Sequence, residues 1–220
     1  MARRHVKEED LVKDQLKQAV IDGQGEVVVA LTQALLATGT SAREILDEAL
    51  LPAMAVVGER MRSGDCFIPE VLLSARTMQS ALDVLRPHMA EGESASFGTI
   101  VIGTVEGDLH DIGKNLVAML LQGAGFEVVN LGTGVTAEQF VTAVREHQAQ
   151  IIGMSALLTT TLPRMKETIN ALTAAGLRDA VKVMVGGAPV TEAYAQEVGA
   201  DGYGANAGMA VERAKALVGA

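Results

Sequence analysis

A chain of 220 residues is long enough for one large domain or two small ones, each able to bury a core. Its formal net charge of −9 argues against a nucleic-acid partner, which would need a basic stripe. Aromatic residues are only 3% and Trp is absent, so any core is built from Ala, Val, Leu, Ile and Met.

The single cysteine, Cys66, excludes a disulfide within the chain and fits a reducing compartment. No apolar run approaches ~18 residues, and the amino terminus lacks a signal-peptide stretch. A soluble, cytoplasmic protein with no membrane partner is expected.

Over residues 1–90 the apolar pattern is helical. "EEDLVKDQLKQAVIDG" and "EVVVALTQALLATG" carry apolar stripes and stop at a glycine. "TSAREILDEALLPAMAVVGERMRSG" opens with a capping box, Ser41 followed by Glu44, and ends at Gly64. "PEVLLSARTMQSALDVLRPHM" begins with Pro69 in a first-turn position. Its apolar groups recur at Val71, Ala75, Met78, Leu82, Leu85 and Met89, the spacing of a bundle seam. Four helices with short turns predict a small antiparallel bundle.

"HMAEGESASFG", polar and glycine-bearing, reads as a linker, and a second domain is expected over residues 91–220. The rhythm there changes. "GTIVIG", "FEVVNLG", "QIIGMS" and "VKVMVGG" are short runs rich in β-branched residues, and a weaker fifth lies near "ADGYG". The stretches "GKNLVAMLLQGAG", "TAEQFVTAVREHQ" and "TLPRMKETINALTAAG" between them are helical, and "AGMAVERAKALVG" follows as a helix. Alternating strand and helix predict a parallel sheet covered on both faces. The fold class is α/β: a four-helix bundle followed by a flavodoxin-like, Rossmann-type doubly wound sheet of order 2-1-3-4-5.

In such sheets ligands bind outside the carboxyl ends of the strands, at the switch point between strands 1 and 3. Asp108 and His110, in "EGDLHDIG", follow strand 1, and Gly113 opens the next helix. Ser155 ends strand 3, Gly186 and Gly187 end strand 4, and "GYGANAG" ends strand 5. A metal-bound imidazole donates its other N–H to an orienting carboxylate, and Asp108 stands two residues upstream of His110. Gly107 and Gly113 let backbone approach a bulky flat ligand. No second His or Cys lies at zinc-ligand spacing, so a single protein ligand suits a metal already held in a macrocycle.

"DLHDIG", "SAL" and "VGGAP" resemble the cobalamin-binding signature Asp-x-His-x-x-Gly, Ser-x-Leu, Gly-Gly, in order and at fitting separations. The preceding half, especially "VGERMRSGDCFIPEVLLSARTMQSALDVLRP", resembles the helical cap module beside that domain in cobalamin-dependent methionine synthase. It is also similar to the stand-alone corrinoid proteins of methyltransferase systems for methylamines, methanol and methoxylated aromatics. The resemblance implies a cobalamin or related corrinoid, methylated in turnover, with His110 as axial cobalt ligand in place of the cofactor's own lower base. Asp108 would orient the imidazole and hold or release its proton, and Ser155 would extend the hydrogen-bonded set. Gly107, Asp111, Ile112 and Gly113 would complete the contact loop. Leu157, Thr159, Gly186, Gly187, Tyr203 and Gly204 would line the path of the displaced nucleotide tail. Phe67, Val71 and Leu72 would cover the methyl-bearing face from the helical cap.

The implied role is a methyl carrier without catalysis of its own. It would work between a substrate-specific methyltransferase and a second methyltransferase acting on a thiol or tetrahydrofolate-type acceptor, with a reductive activase. Taken singly, these residues have plainer readings. Gly186–Gly187 alone is an ordinary strand-to-helix turn, Ser155 alone a helix cap. Val71 alone is bundle core, and Asp111 and Glu106 are solvated carboxylates. A signalling receiver would need an Asp where Ser155 stands, and a mutase would need a barrel for which there is no room. A cobalamin-sensing regulatory or storage protein stays open as the alternative.

Overall fold

The computed structural model describes residues 8–89 and 96–219, so the predicted linker falls for the most part, at 90–95, outside the described residues. The chain divides into two compact units, the first built on the residues up to Ala95, the second comprising Ser96–Gln122 and Phe126–Ala220.

The first unit is helical. Helix α1 spans Glu8–Ile21 and α2 spans Gly25–Ala37. Helix α3, Ala42–Ile45, runs through a π-helical turn, Leu46–Leu50, into α4, Leu51–Ser63. Pro52 explains the widened turn, because it has no N–H and its ring crowds the carbonyl four residues back. Ser41 caps this rod by accepting the Glu44 N–H at 3.1 Å. The Glu44 carboxylate, expected to complete a capping box, pairs instead with the buried Lys13, which also binds Glu48 and Glu9. Burial alone would lower the Lys13 ammonium, but these three carboxylates outweigh it and raise it above the ordinary lysine value.

Helix α5, Ile68–Leu85, buries Val71, Ala75, Met78, Leu82 and Leu85 as the seam predicts. It stops one turn early. Pro87 forces a 3-10 turn over Arg86–His88, and Met89 is extended rather than part of the seam.

In the second unit five parallel strands stand in the order β2-β1-β3-β4-β5, as the sequence implies. They are β1 (Thr99–Thr104), β2 (Glu127–Asn130), β3 (Ile151–Ser155), β4 (Lys182–Gly186) and β5 (Gly202–Gly204). The helices are α6 (Ile112–Gly123), α7 (Ala137–His147), α8 (Pro163–Ala174), α9 (Glu192–Val198) and α10 (Ala207–Val218). Helix α9 has no counterpart in the sequence reading; seven residues are too few for a periodic stripe, and only its Thr191 cap and the left-handed Gly199 mark it.

The chain winds one way from β1 to β2 and the other way from β2 onward. Right-handed crossovers therefore put α6 on one face and α7, α8 and α9 on the other. That second face is a closed core of Val101, Ile152, Val183 and Val185 under Phe140, Met165, Ile169 and Val198. On the first face α6 and α10 leave part of β3 and β4 between them for a ligand.

Candidate functional site

The loop after β1 is held by its own backbone. Gly107 takes φ +81, which turns the chain so that Asp108 points back into the protein. The Thr104 hydroxyl donates to the His110 carbonyl at 2.8 Å, and Gly134 N–H donates to the Asp108 carbonyl at 3.0 Å. Asp108 is fully buried. Its Oδ1 accepts the His110 backbone N–H at 3.1 Å and faces His110 Nδ1 at 2.7 Å. Its Oδ2 accepts the N–H groups of Leu157 at 2.7 Å and Leu158 at 3.1 Å, with the Thr161 hydroxyl at 3.1 Å.

Burial alone would push this carboxyl up. The Leu157 N–H, the His110 imidazole and N–H, and the Leu158 N–H overcome that and hold it well below the usual carboxylate range. An ionised Asp108 makes Nδ1 the protonated ring nitrogen of His110 and leaves Nε2 as the nitrogen for a metal.

Beside His110 several apolar side chains are exposed. Leu109 is 78% exposed and Ile112 86%, with Leu157 and Leu158 also exposed beside them. Next to this rim a groove of about 650 Å³ runs between α6 and α10. Its lining includes Ile102, Leu116, Gly153, Ser155, Met184 and Gly186. An outward imidazole, an apolar rim and an adjoining apolar groove fit a flat, large macrocycle with a tail. Among the described residues no cluster of three His, Cys, Asp or Glu side chains could hold a bare metal ion.

The sequence-picked residues divide. His110, Asp111, Ile112, Gly113, Ser155, Leu157, Gly186, Gly187 and Gly204 all line the groove. Three depart from expectation. Ser155 sits at the mouth, but the hydrogen bonds to Asp108 from this side come from Leu157, Leu158 and Thr161. Thr159 lies exposed in the 3-10 turn Thr159–Thr161 and is not part of the lining. Tyr203, one residue before Gly204, faces the opposite side of the sheet by strand alternation and packs on the closed core. Val71 is buried on α5. Phe67 is 73% exposed and Leu72 half-buried in that unit.

The glycines of β4 have a reason of their own. A Cβ on Gly187, at φ +124, would lie 1.9 Å from the Ala156 carbonyl oxygen. One on Gly186 would lie 3.0 Å from the Gly204 carbonyl oxygen. Backbone approach between strand ends requires both before any ligand does.

Thr161 and Lys114 are among the residues that escaped the sequence reading. Thr161 lies 53 positions from Asp108, beyond any local motif. Lys114 is buried, its ammonium donating to Asn115 Oδ1 at 2.6 Å and Asn130 Oδ1 at 2.7 Å. Burial pushes it below the ordinary lysine value, and the Asp111 carboxylate opposes that only in part.

Comparison with known proteins bears on this geometry directly. The family described as B12 binding domain matches residues 98–212, and a second B12 binding domain family matches residues 12–86. A corrinoid protein of Desulfitobacterium hafniense is 43% identical over 94% of this chain and 97% of its own length. Trimethylamine corrinoid protein 1 of Methanosarcina acetivorans is 41% identical over 96% of this chain and 98% of its own. Among solved structures, the methanol:cobalamin methyltransferase complex MtaBC of Methanosarcina barkeri superposes with a TM-score of 0.84 at 31% identity, covering 96% of this chain and 80% of that one. A cobalamin-binding protein of Desulfitobacterium hafniense gives 0.75 at 37% identity, covering 93% and 98%. With an outward His110 on a buried carboxylate, in a sheet of this winding, the chain belongs to the B12-binding corrinoid proteins, and its cofactor is a corrinoid.

Proposed function

We propose that the chain is a methyl carrier between two methyltransferases, and that its corrinoid cobalt would be held by His110. The bound corrinoid supplies the metal centre that accepts and gives up the methyl group. The observation that supports this most is the 2.7 Å contact between His110 Nδ1 and Asp108. A carboxylate kept ionised leaves the proton on Nδ1, frees the Nε2 lone pair for cobalt and strengthens it as a donor. Asp108 is tied in turn to the segment after β3, so two strand ends orient one imidazole.

The groove between α6 and α10 would hold the nucleotide part of the corrinoid in this reading. The methyl donor is a small methylated amine, methanol or a methoxylated aromatic, brought by a substrate-specific methyltransferase. The trimethylamine and methanol relatives support the first two. A second methyltransferase passes the methyl to a thiol or tetrahydrofolate-type acceptor, and a reductive activase restores cofactor that has lost its active valence. A sensing or storage protein would need no such enzymes, and likeness to a methyltransferase complex favours the carrier.

The test is electron paramagnetic resonance of the Co(II) form in wild type and His110→Ala. Wild type should show splitting from one axial nitrogen, and the variant should lose it or fail to retain corrinoid. The same splitting in the variant would remove His110 from the metal.

A further inference from the structure

Strand β2 is unlike the rest of the sheet. Among the five described strands it alone has no buried residue: Glu127 and Asn130 are exposed, Val128 and Val129 half-buried. It stands at one end of the order β2-β1-β3-β4-β5, and among the described residues no strand pairs with its outer side. The Glu127 and Leu131 N–H groups donate inward, to the carbonyls of Gly98 at 3.0 Å and Ile102 at 2.8 Å. Backbone groups of a parallel strand alternate between its two sides. The N–H and C=O of Val128 and Asn130 therefore point outward, to the open edge. Neither a lysine nor a proline in "EVVN" blunts that edge.

Side chains alternate as well. Val129 and Leu131 pack at the margin of the closed core, on the α7 side, and Glu127 shares their face. Beside them a cleft of about 320 Å³ runs along α7. Leu131, Val135 and Ala143 are its apolar lining, and Glu138, Thr142 and Glu146 stand along it from α7. It shares no residue with the groove between α6 and α10. Its charge is uncompensated. Glu127, Glu138 and Glu146 have no ion-pair partner among the described residues, and His147 is the one basic side chain in the cleft lining. Glu138 lies in the first turn of α7, where a carboxylate suits the helix dipole; Glu146 lies in the last, where it does not. The helix itself gives no reason for Glu146.

We propose that β2 and this cleft form a docking edge for a protein partner, which adds an extended basic segment beside β2 as a further strand. The backbone of the segment pairs with Val128 and Asn130. Its apolar side chains lie on Val129 and Leu131, and its cationic ones reach Glu138 and Glu146. The spacing agrees. Glu138 and Glu146 are eight residues apart on the helix, about 12 Å. Residues i and i+4 of an extended segment share a face and stand about 13 Å apart. The inward face of the segment therefore reads cation, apolar residue, cation. An acidic segment would be repelled by three carboxylates, and a purely apolar one would cover them without a partner. The inference does not depend on how the corrinoid is held.

The experiment titrates the isotope-labelled full chain with a capped heptapeptide, Thr-Lys-Thr-Val-Thr-Lys-Thr, and reads amide shifts and hydrogen exchange by NMR. One control peptide has Glu in place of both Lys. The other keeps the Lys sequence with its backbone nitrogens methylated, so that it cannot pair as a strand. The Lys peptide should bind at least about tenfold more tightly than either control, and should slow exchange at the amides of Val128 and Asn130. Glu138→Gln and Glu146→Gln, both at exposed positions, should each weaken it about two- to fivefold. Equal affinity for the Lys and Glu peptides would overturn the proposal, since charge would then select nothing. A methylated peptide that binds as well as its parent, or unchanged exchange at Val128 and Asn130, would overturn strand addition. A Lys peptide that fails to bind at millimolar concentration would overturn the docking edge as a whole.

Discussion

Five donors converge on the two oxygens of Asp108, and only two of them belong to His110. The Thr161 hydroxyl is the side-chain donor from the β3 side, and its one proton is shared between Asp108 Oδ2 and the Leu158 carbonyl at 2.8 Å. Thr161→Val keeps the shape and removes the proton. We expect a loss of about 1–2 kcal/mol in urea unfolding and weaker corrinoid retention, with Thr161→Ser close to wild type. A Val variant as stable as wild type would show that the two amides suffice. Lys114 makes a different prediction. Its folded value lies below 10.5, so between the two values the unfolded chain holds a proton that the native chain does not. Stability contributed by this group therefore rises with pH across that window. Asn115 Oδ1 keeps a donor in Asn130 Nδ2, and Asn130 Oδ1 keeps the Gly132 N–H, so Lys114→Met strands neither oxygen. Unfolding midpoints of wild type should gain on those of Lys114→Met as pH is raised from 7 towards 10. A wild type that loses ground instead would show that the burial penalty is absent. His110 and Asp108 were legible because they lie two residues apart. Thr161 and Lys114 were not, since one reaches its partner through the fold and the other looks like a surface lysine in a helix's first turn.

At the scale of elements, the junction of β3 and β4 is the least tolerant place in the second unit. Ala156 N–H donates to the Gly186 carbonyl at 3.2 Å, and Gly187 then passes under the Ala156 carbonyl with positive φ. Gly187→Ala must move one strand end or the other, and should cost at least about 3 kcal/mol in a denaturant titration. A milder loss would mean that the loop after β4 can re-route. The same element view separates what periodicity reveals from what it conceals. Strands β1 to β4 and the longer helices showed themselves by their apolar rhythm, as did the seam of α5. The π turn before Pro52, the early stop of α5 at Pro87 and the short α9 are set by single residues against the rhythm, so the pattern passed over them. Tyr203 is instructive: its place at the end of strand 5 put it at the site, and the two-residue period of β5 turned it onto the closed core.

For the whole molecule, the order β2-β1-β3-β4-β5 follows from alternating strands and helices plus the handedness of their connections, which is why the architecture could be read before any coordinate. The lining of the groove could not, because it depends on register between strands some 30 to 50 residues apart. The groove also has a history in the chain. One wall is α6 and the other α10, with four strands and three helices between them. During synthesis His110 emerges midway along the chain, while the helix that completes the groove is made much later. The parallel pairings that join the two are long-range contacts, slow to form. Cofactor insertion is therefore an event for the finished protein and not for the emerging one. Whatever delivers the corrinoid must find folded molecules, and a nascent chain cannot hoard it.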